Sequence, residues 1–166
     1  MPTHKLISSV TVGAGGAANI QFTSIPATYT DLLVKYSLRG SQSAFRMNIN
    51  ITYNAISSSY SNIYLNGANG SAGSASNATG TSQIYAGEIP AATATANTFA
   101  SGEIYVPNYA SSKFKSVSIE NAQESNTSSD VFTSLIAGLV SNTETISSLI
   151  ITPGAGNFVQ YSTAYL

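Results

Sequence analysis

From Phe45 to Tyr53 the chain reads FRMNINITY, with an apolar residue at every second position. Phe45, Met47, Ile49, Ile51 and Tyr53 alternate with Arg46, Asn48, Asn50 and Thr52. Side chains along an extended strand point to opposite faces in turn, so this run offers one dry and one wet face. A helix would scatter the same residues around its circumference. DLLVKYSLRG repeats the pattern, with Leu32, Val34, Tyr36 and Leu38 set against Leu33, Lys35, Ser37 and Arg39. Both segments are predicted strands buried on one side.

Similar runs are separated by turn residues. KLISSVTV precedes GAGG, AANIQFTSI ends at Pro26, SQIYAGEI at Pro90, FASGEIYV at Pro107 and TISSLIIT at Pro153. KFKSVSIEN leads into the polar stretch AQESNTSSD, and NFVQYSTAYL closes the chain. DVFTSLIAGLV would also suit one helical face through Val131, Leu135, Ile136 and Leu139, but its β-branched setting and Gly138 favour a strand. About nine or ten short strands without a substantial helix predict an all-β fold, an antiparallel β-sandwich of jelly-roll-like design.

Residues 66–80, NGANGSAGSASNATG, carry no charge and nothing larger than Asn. The strands before this stretch would leave half a sandwich uncovered, and two separate domains of about 65 and 85 residues would each be marginal. We therefore expect one β-sandwich domain over 1–166 with a long Gly/Ser/Asn-rich loop at about 66–82, a length that compact domains keep for function or disorder.

Composition narrows the function. Only 8% of residues are charged and the net charge is −1, against roughly 25% charged in an ordinary soluble domain. Such a surface resists self-association weakly, which suits a protein that assembles with copies of itself. There is no cysteine, hence no disulfide or thiolate metal site. Lys5, Lys35, Arg39, Arg46, Lys113 and Lys115 are too dispersed to neutralise several phosphates, so no nucleic-acid partner is expected. MPTHKLISSV lacks the pattern of a secretory signal, and no apolar window approaches the roughly 18 residues that span a bilayer.

Catalytic groups are scarce. The sole histidine, His4, lies in a terminal segment without fixed geometry. Glu88 and Glu103 sit in similar contexts, AGEIP and SGEIYVP, and could serve as a glycosidase pair only if they converged to about 5 Å; the plainer reading is two exposed strand residues, or one partner for Arg39 or Arg46. Asp31, Glu120, Glu124, Asp130 and Glu144 lack calcium-loop spacing. The N-x-S/T sequons at Asn50, Asn69, Asn77 and Asn126 are expected by chance in so Asn- and Ser-rich a chain. No enzyme, cofactor or metal is expected.

The tyrosines are better candidates for contact. Tyr36, Tyr53, Tyr85 and Tyr105 occupy alternating strand positions and are expected to pack in the core or on a sheet face. Tyr60 and Tyr64 precede the 66–80 stretch, and Tyr109 falls in the turn VPNYASS. Aromatic rings beside amides suit protein interfaces and neutral sugars alike. The candidate binding residues are therefore Tyr60, Tyr64, Asn66, Asn69, Asn77 and Tyr109.

TYTDLLVKYSLRGS, MNINITYN followed by SSYSNIYLNG, and the closing SSLIITPGAGNFVQYSTAYL together resemble small β-sandwich virion proteins of tailed bacteriophages. The resemblance implies a structural protein of the particle, of the capsid decoration or cement type, and no catalytic residue. It implies a homotrimer bound to a viral capsid or tail protein, on the head surface more than the tail, made in the host cytoplasm. The alternative is a tail, baseplate or fibre adhesive module with a host glycan as partner. No membrane partner is expected.

Overall fold

The computed structural model describes residues 4–127 and 131–166, with the backbone alone at 72, 74 and 75. The strands are β1 (Ser9–Thr11), β2 (Ile20–Phe22), β3 (Leu32–Leu38), β4 (Arg46–Tyr53), β5 (Tyr60–Ala68), β6 (Ser71–Thr81), β7 (Ile84–Pro90), β8 (Ala100–Val106), β9 (Lys115–Glu124), β10 (Val131–Val140), β11 (Leu149–Pro153) and β12 (Thr163–Tyr165). No helix occurs among the described residues.

Every pairing is antiparallel, and the strands form two sheets. The larger has eight strands in the order β1-β12-β3-β8-β9-β10-β5-β6, and the smaller has four in the order β2-β11-β4-β7. Five pairs nest in sequence: β5 with β6, β4 with β7, β3 with β8, β2 with β11, and β1 with β12. A long antiparallel hairpin folded over on itself gives this nesting, which is the arrangement of a jelly roll. The β9–β10 hairpin is an insertion that widens the larger sheet between β8 and β5.

The alternation read in the sequence becomes the core. β9 is the cleanest case, with Lys115, Val117, Ile119, Asn121 and Gln123 buried and their neighbours exposed. Across the sandwich β4 contributes Met47, Ile49, Ile51 and Tyr53, and β7 contributes Ile84, Ala86 and Ile89. Gly138 keeps β10 close to β7, because a Cβ there would meet Ile84 Cδ1 at 3.0 Å. Phe45 departs from its expected place. It precedes β4 and is 62% exposed.

The expected loop at about 66–82 is instead the distal half of a hairpin. Asn69 and Gly70 turn the chain with φ of 52° and 75°, and Ala68 pairs directly with Ser71. Two consecutive left-handed residues make the tight turn whose twist matches paired strands, and Asn-Gly is its favoured sequence. None of the side chains described on β6 is buried, and the strand is held by backbone pairing to β5. The polar stretch after Asn121 likewise continues as strand to Glu124. The ambiguous segment 131–140 is a strand, as its composition favoured.

Two buried cations hold loops and not carboxylates. Arg39 Nη1 donates to the carbonyls of Thr95 and Thr98 at 2.7 and 3.0 Å, and Nη2 to those of Ala91 and Ala94 at 2.9 and 3.0 Å. Lys115 Nζ donates to the carbonyls of Ser111 and Lys113 at 2.7 and 2.6 Å. Each satisfies several backbone acceptors at once, which a buried charge requires.

Candidate functional site

The larger sheet is wider than the smaller one, and its outer face carries the most distinctive surface. One row of side chains crosses seven of its strands in register, Ser9, Tyr165, Lys35, Glu103, Glu120, Leu135 and Leu65, and the backbone of Ala75 on β6 continues the register. The row changes character along its length. Lys35 and Glu103 form an ion pair at 2.8 Å. Glu120 lies directly opposite Glu103 and has no ion-pair partner among the described residues. Leu135 and Leu65 then pair across strands, each 54% exposed, with Ile63 beside them at 55%.

Two residues further along each strand the row is small: Ser101, Ala122, Thr133 and Gly67. These floor a groove of about 710 Å³ walled on one side by Lys35, Glu103, Glu120, Leu135 and Leu65. On the far side of the same floor stand Phe99, Glu124 and Val131. Rows four residues apart on a strand are separated by ~14 Å. The groove is thus a shallow trough across the sheet, apolar at the β5 end and acidic in the middle.

Of the residues singled out in the sequence, two are not available to any partner. Tyr60 is buried, accepts from the backbone N–H of Tyr53 at 2.9 Å, and donates to the Tyr53 carbonyl at 3.2 Å. Tyr109 is fully buried and donates to the Pro26 carbonyl. Both are corrections to the expectation of surface contact: Tyr60 is the first residue of β5 with its ring on the core side, Tyr109 lies in a turn that folds inward, and each hydroxyl closes a loop. Tyr64 is half-buried with its ring 4.8 Å from that of Tyr85. Asn66 is half-buried, and its Oδ1 finds no hydrogen-bond partner among the described residues. Asn69 forms the hairpin turn, with Oδ1 accepting from Val131 N–H at 3.2 Å. Asn77 is exposed on β6, opposite Ile63.

Tyr36 and Tyr53 lie in the core, Tyr85 is half-buried, and Tyr105 sits on the outer sheet face with its hydroxyl donating to Asp31 Oδ2 at 2.9 Å. Glu88 and Glu103 do not converge. Glu88 is on the smaller sheet, paired with Arg46 at 2.6 Å, while Glu103 is on the larger. His4 is exposed, and Asp130 lies outside the described residues. Among the described residues no group of three His, Asp or Glu side chains could hold a metal ion.

The Leu65–Leu135 pair was not singled out from the sequence. The available signal was β10 itself, apolar on both faces in VFTSLIAGLV, since one of those faces must look away from the core. Comparison with protein-family models, curated proteins and solved structures finds no match.

Proposed function

We propose that the chain is a structural component of a virus particle, a capsid decoration or cement protein that lies on the head surface and bridges shell subunits. The observation that carries this reading is the outer face of the larger sheet, where Leu65 and Leu135 pair across strands with Ile63 next along β5, all three more than half exposed. Large apolar side chains grouped on a sheet face mark a surface that another protein covers. Seven strand spacings of ~4.8 Å and a strand length of ~24 Å give a face of roughly 800 Å², the area that each partner contributes to an ordinary specific interface. The 8% charge content agrees, because interface centres are poor in charge. The resemblance to β-sandwich virion proteins supports the same reading.

Attachment through more than one such face would gain from multivalency, each later contact forming at high effective concentration. The glycan-binding reading rests on Tyr60, Tyr64, Tyr109 and the Asn-rich stretch, and burial of Tyr60 and Tyr109 leaves it Tyr64 and the asparagines as support. The decisive comparison sets particles carrying the protein against particles lacking it, under heat or osmotic shock. Greater survival of the decorated particles is expected. Equal survival would overturn the proposal.

A further inference from the structure

We infer that the free edge of the larger sheet is a self-association site, at which β6 of one copy pairs antiparallel with β6 of a second copy. A strand at a sheet edge presents unpaired N–H and C=O groups, and proteins blunt such edges by shortness, charge, proline or bulges. Three of the four edges here are blunted. β1 and β2 are three residues each. β7 carries Glu88 paired to Arg46, is bent by Gly87 at φ 103°, and ends in Pro90. β6 carries no charge and no proline, and its two bulges fall only at its ends. It is eleven residues long, reads SAGSASNATGT, and is hydrogen-bonded to β5 on one side, while among the described residues no strand pairs with its other side.

The composition of β6 selects the occupant. Antiparallel pairing of a strand with its own copy sets residues opposite one another in reversed order about the two-fold axis, and a residue at the axis opposite its own twin, so a charge near the middle of the strand would face the same charge, which is destabilising. β6 carries none. Its largest side chain is Asn77, so no bulk opposes close approach. The net charge of −1 adds little long-range repulsion between whole chains.

The usable length is bounded. Ser74 to Thr79 runs in unbroken register with Ser61 to Asn66, and the register shifts at both ends. At one end Gly73 approaches the backbone so closely that a Cβ would lie 2.3 Å from the Asn66 carbonyl oxygen; at the other Gly80 has φ 66°. Those irregularities limit slippage along a strand whose side chains would not by themselves specify register.

The contact uses the same patch on both copies and closes as a two-fold dimer. Its axis is perpendicular to the merged sheet, so both outer faces look the same way. The exposed Leu65 of each copy then stands one strand in from the junction, and the apolar strip is doubled on a single face. The pairing needs no other protein, is independent of the head-surface reading, and puts a two-fold dimer in place of the homotrimer that the resemblance implies.

Light scattering on the purified full chain tests this. The wild type is expected at twice 17.2 kDa. Asn77→Lys combined with Thr79→Lys, both exposed positions, is expected to give the 17.2 kDa monomer with an unchanged β-sheet circular dichroism spectrum. Mixing that variant with Asn77→Glu/Thr79→Glu is expected to restore dimers, which a misfolded chain would not do. A wild type that stays monomeric up to roughly millimolar concentration, a wild type larger than a dimer, or a dimer that survives the lysine substitutions would each overturn the inference.

Discussion

The side-chain amide of Asn121 donates to the Tyr36 hydroxyl oxygen at 3.1 Å, deep between the sheets. Asn121 Oδ1 accepts from the Glu88 backbone N–H at 3.1 Å, and the Tyr36 hydroxyl donates to the Ala86 carbonyl at 3.2 Å. Two residues of the larger sheet thereby fasten β7 of the smaller one. Gly102 and Gly87 make room for them, since a Cβ at either would lie 2.2 Å from the Tyr36 ring or 2.4 Å from the Asn121 side chain. Asn121→Ala removes the donor to the Tyr36 oxygen, whose hydroxyl keeps its bond to Ala86, and takes the acceptor from the Glu88 backbone N–H, an orphaned group that costs about 1–3 kcal/mol. The expected result is a lower denaturant midpoint at unchanged slope, with Gly102→Ala as damaging through overpacking.

The hairpin turn makes a second, more local prediction. Gly70 has φ 75°, and a side chain in the left-handed region costs roughly 1–2 kcal/mol. Gly70→Ala is expected to speed amide exchange along β5 and β6 while β3, β8 and β9 keep their protection. Exchange followed strand by strand distinguishes this from general destabilisation.

Arg39 is expected to act as the clamp of the segment between β7 and β8. Hydrogen bonds to a charged group contribute about 1.5–3 kcal/mol each when their loss strands a buried partner. Arg39→Met should therefore free the carbonyls of Ala91, Ala94, Thr95 and Thr98. New protease cleavage between 92 and 98 is the expected readout, and an uncut loop would contradict the role.

Tyr53 links burial to pH. Burial pushes its phenol well above the ordinary value, with the nearby Tyr60 adding to the effect. An unfolded phenol ionises near pH 10, whereas the folded one resists. Stability from this residue is thus complete below about pH 10 and falls as the pH rises beyond it. Its Oη has no hydrogen-bond partner in the core. Tyr53→Phe is expected to be neutral or stabilising near pH 7 and to make alkaline unfolding less steep, as measured by melting temperature against pH.

Leu135 separates fold from function. Being 54% exposed, Leu135→Lys should alter stability by no more than about 0.5 kcal/mol. On the proposed head-surface role it should still fold and yet fail to rebind particles stripped of the protein, a result read by cosedimentation.

The strand character of β3, β4 and β9 was legible because alternation is a local property, visible in any window of several residues. The hairpin of β5 and β6 was missed because its apolar signal is almost absent. Asn69-Gly70 was its only strong marker, and a run of Gly, Ser, Ala and Asn reads as loop when pairing is not known. Tyr60 and Tyr109 were misplaced for the complementary reason. A tyrosine beside turn residues has the same local sequence whether its ring points outward or folds beneath the loop.

Period-two patterning alone determined that this chain forms strands with two unlike faces and that no persuasive helix competes. It did not determine which strands would be neighbours or which apolar face would be left uncovered. On β10 both faces are apolar, and only the packing of β7 against one of them leaves Leu135 outside beside Leu65. Side-chain alternation is set within a strand by backbone geometry. Burial is set by what arrives from elsewhere in the chain, and the nested pairing of distant strands decides that.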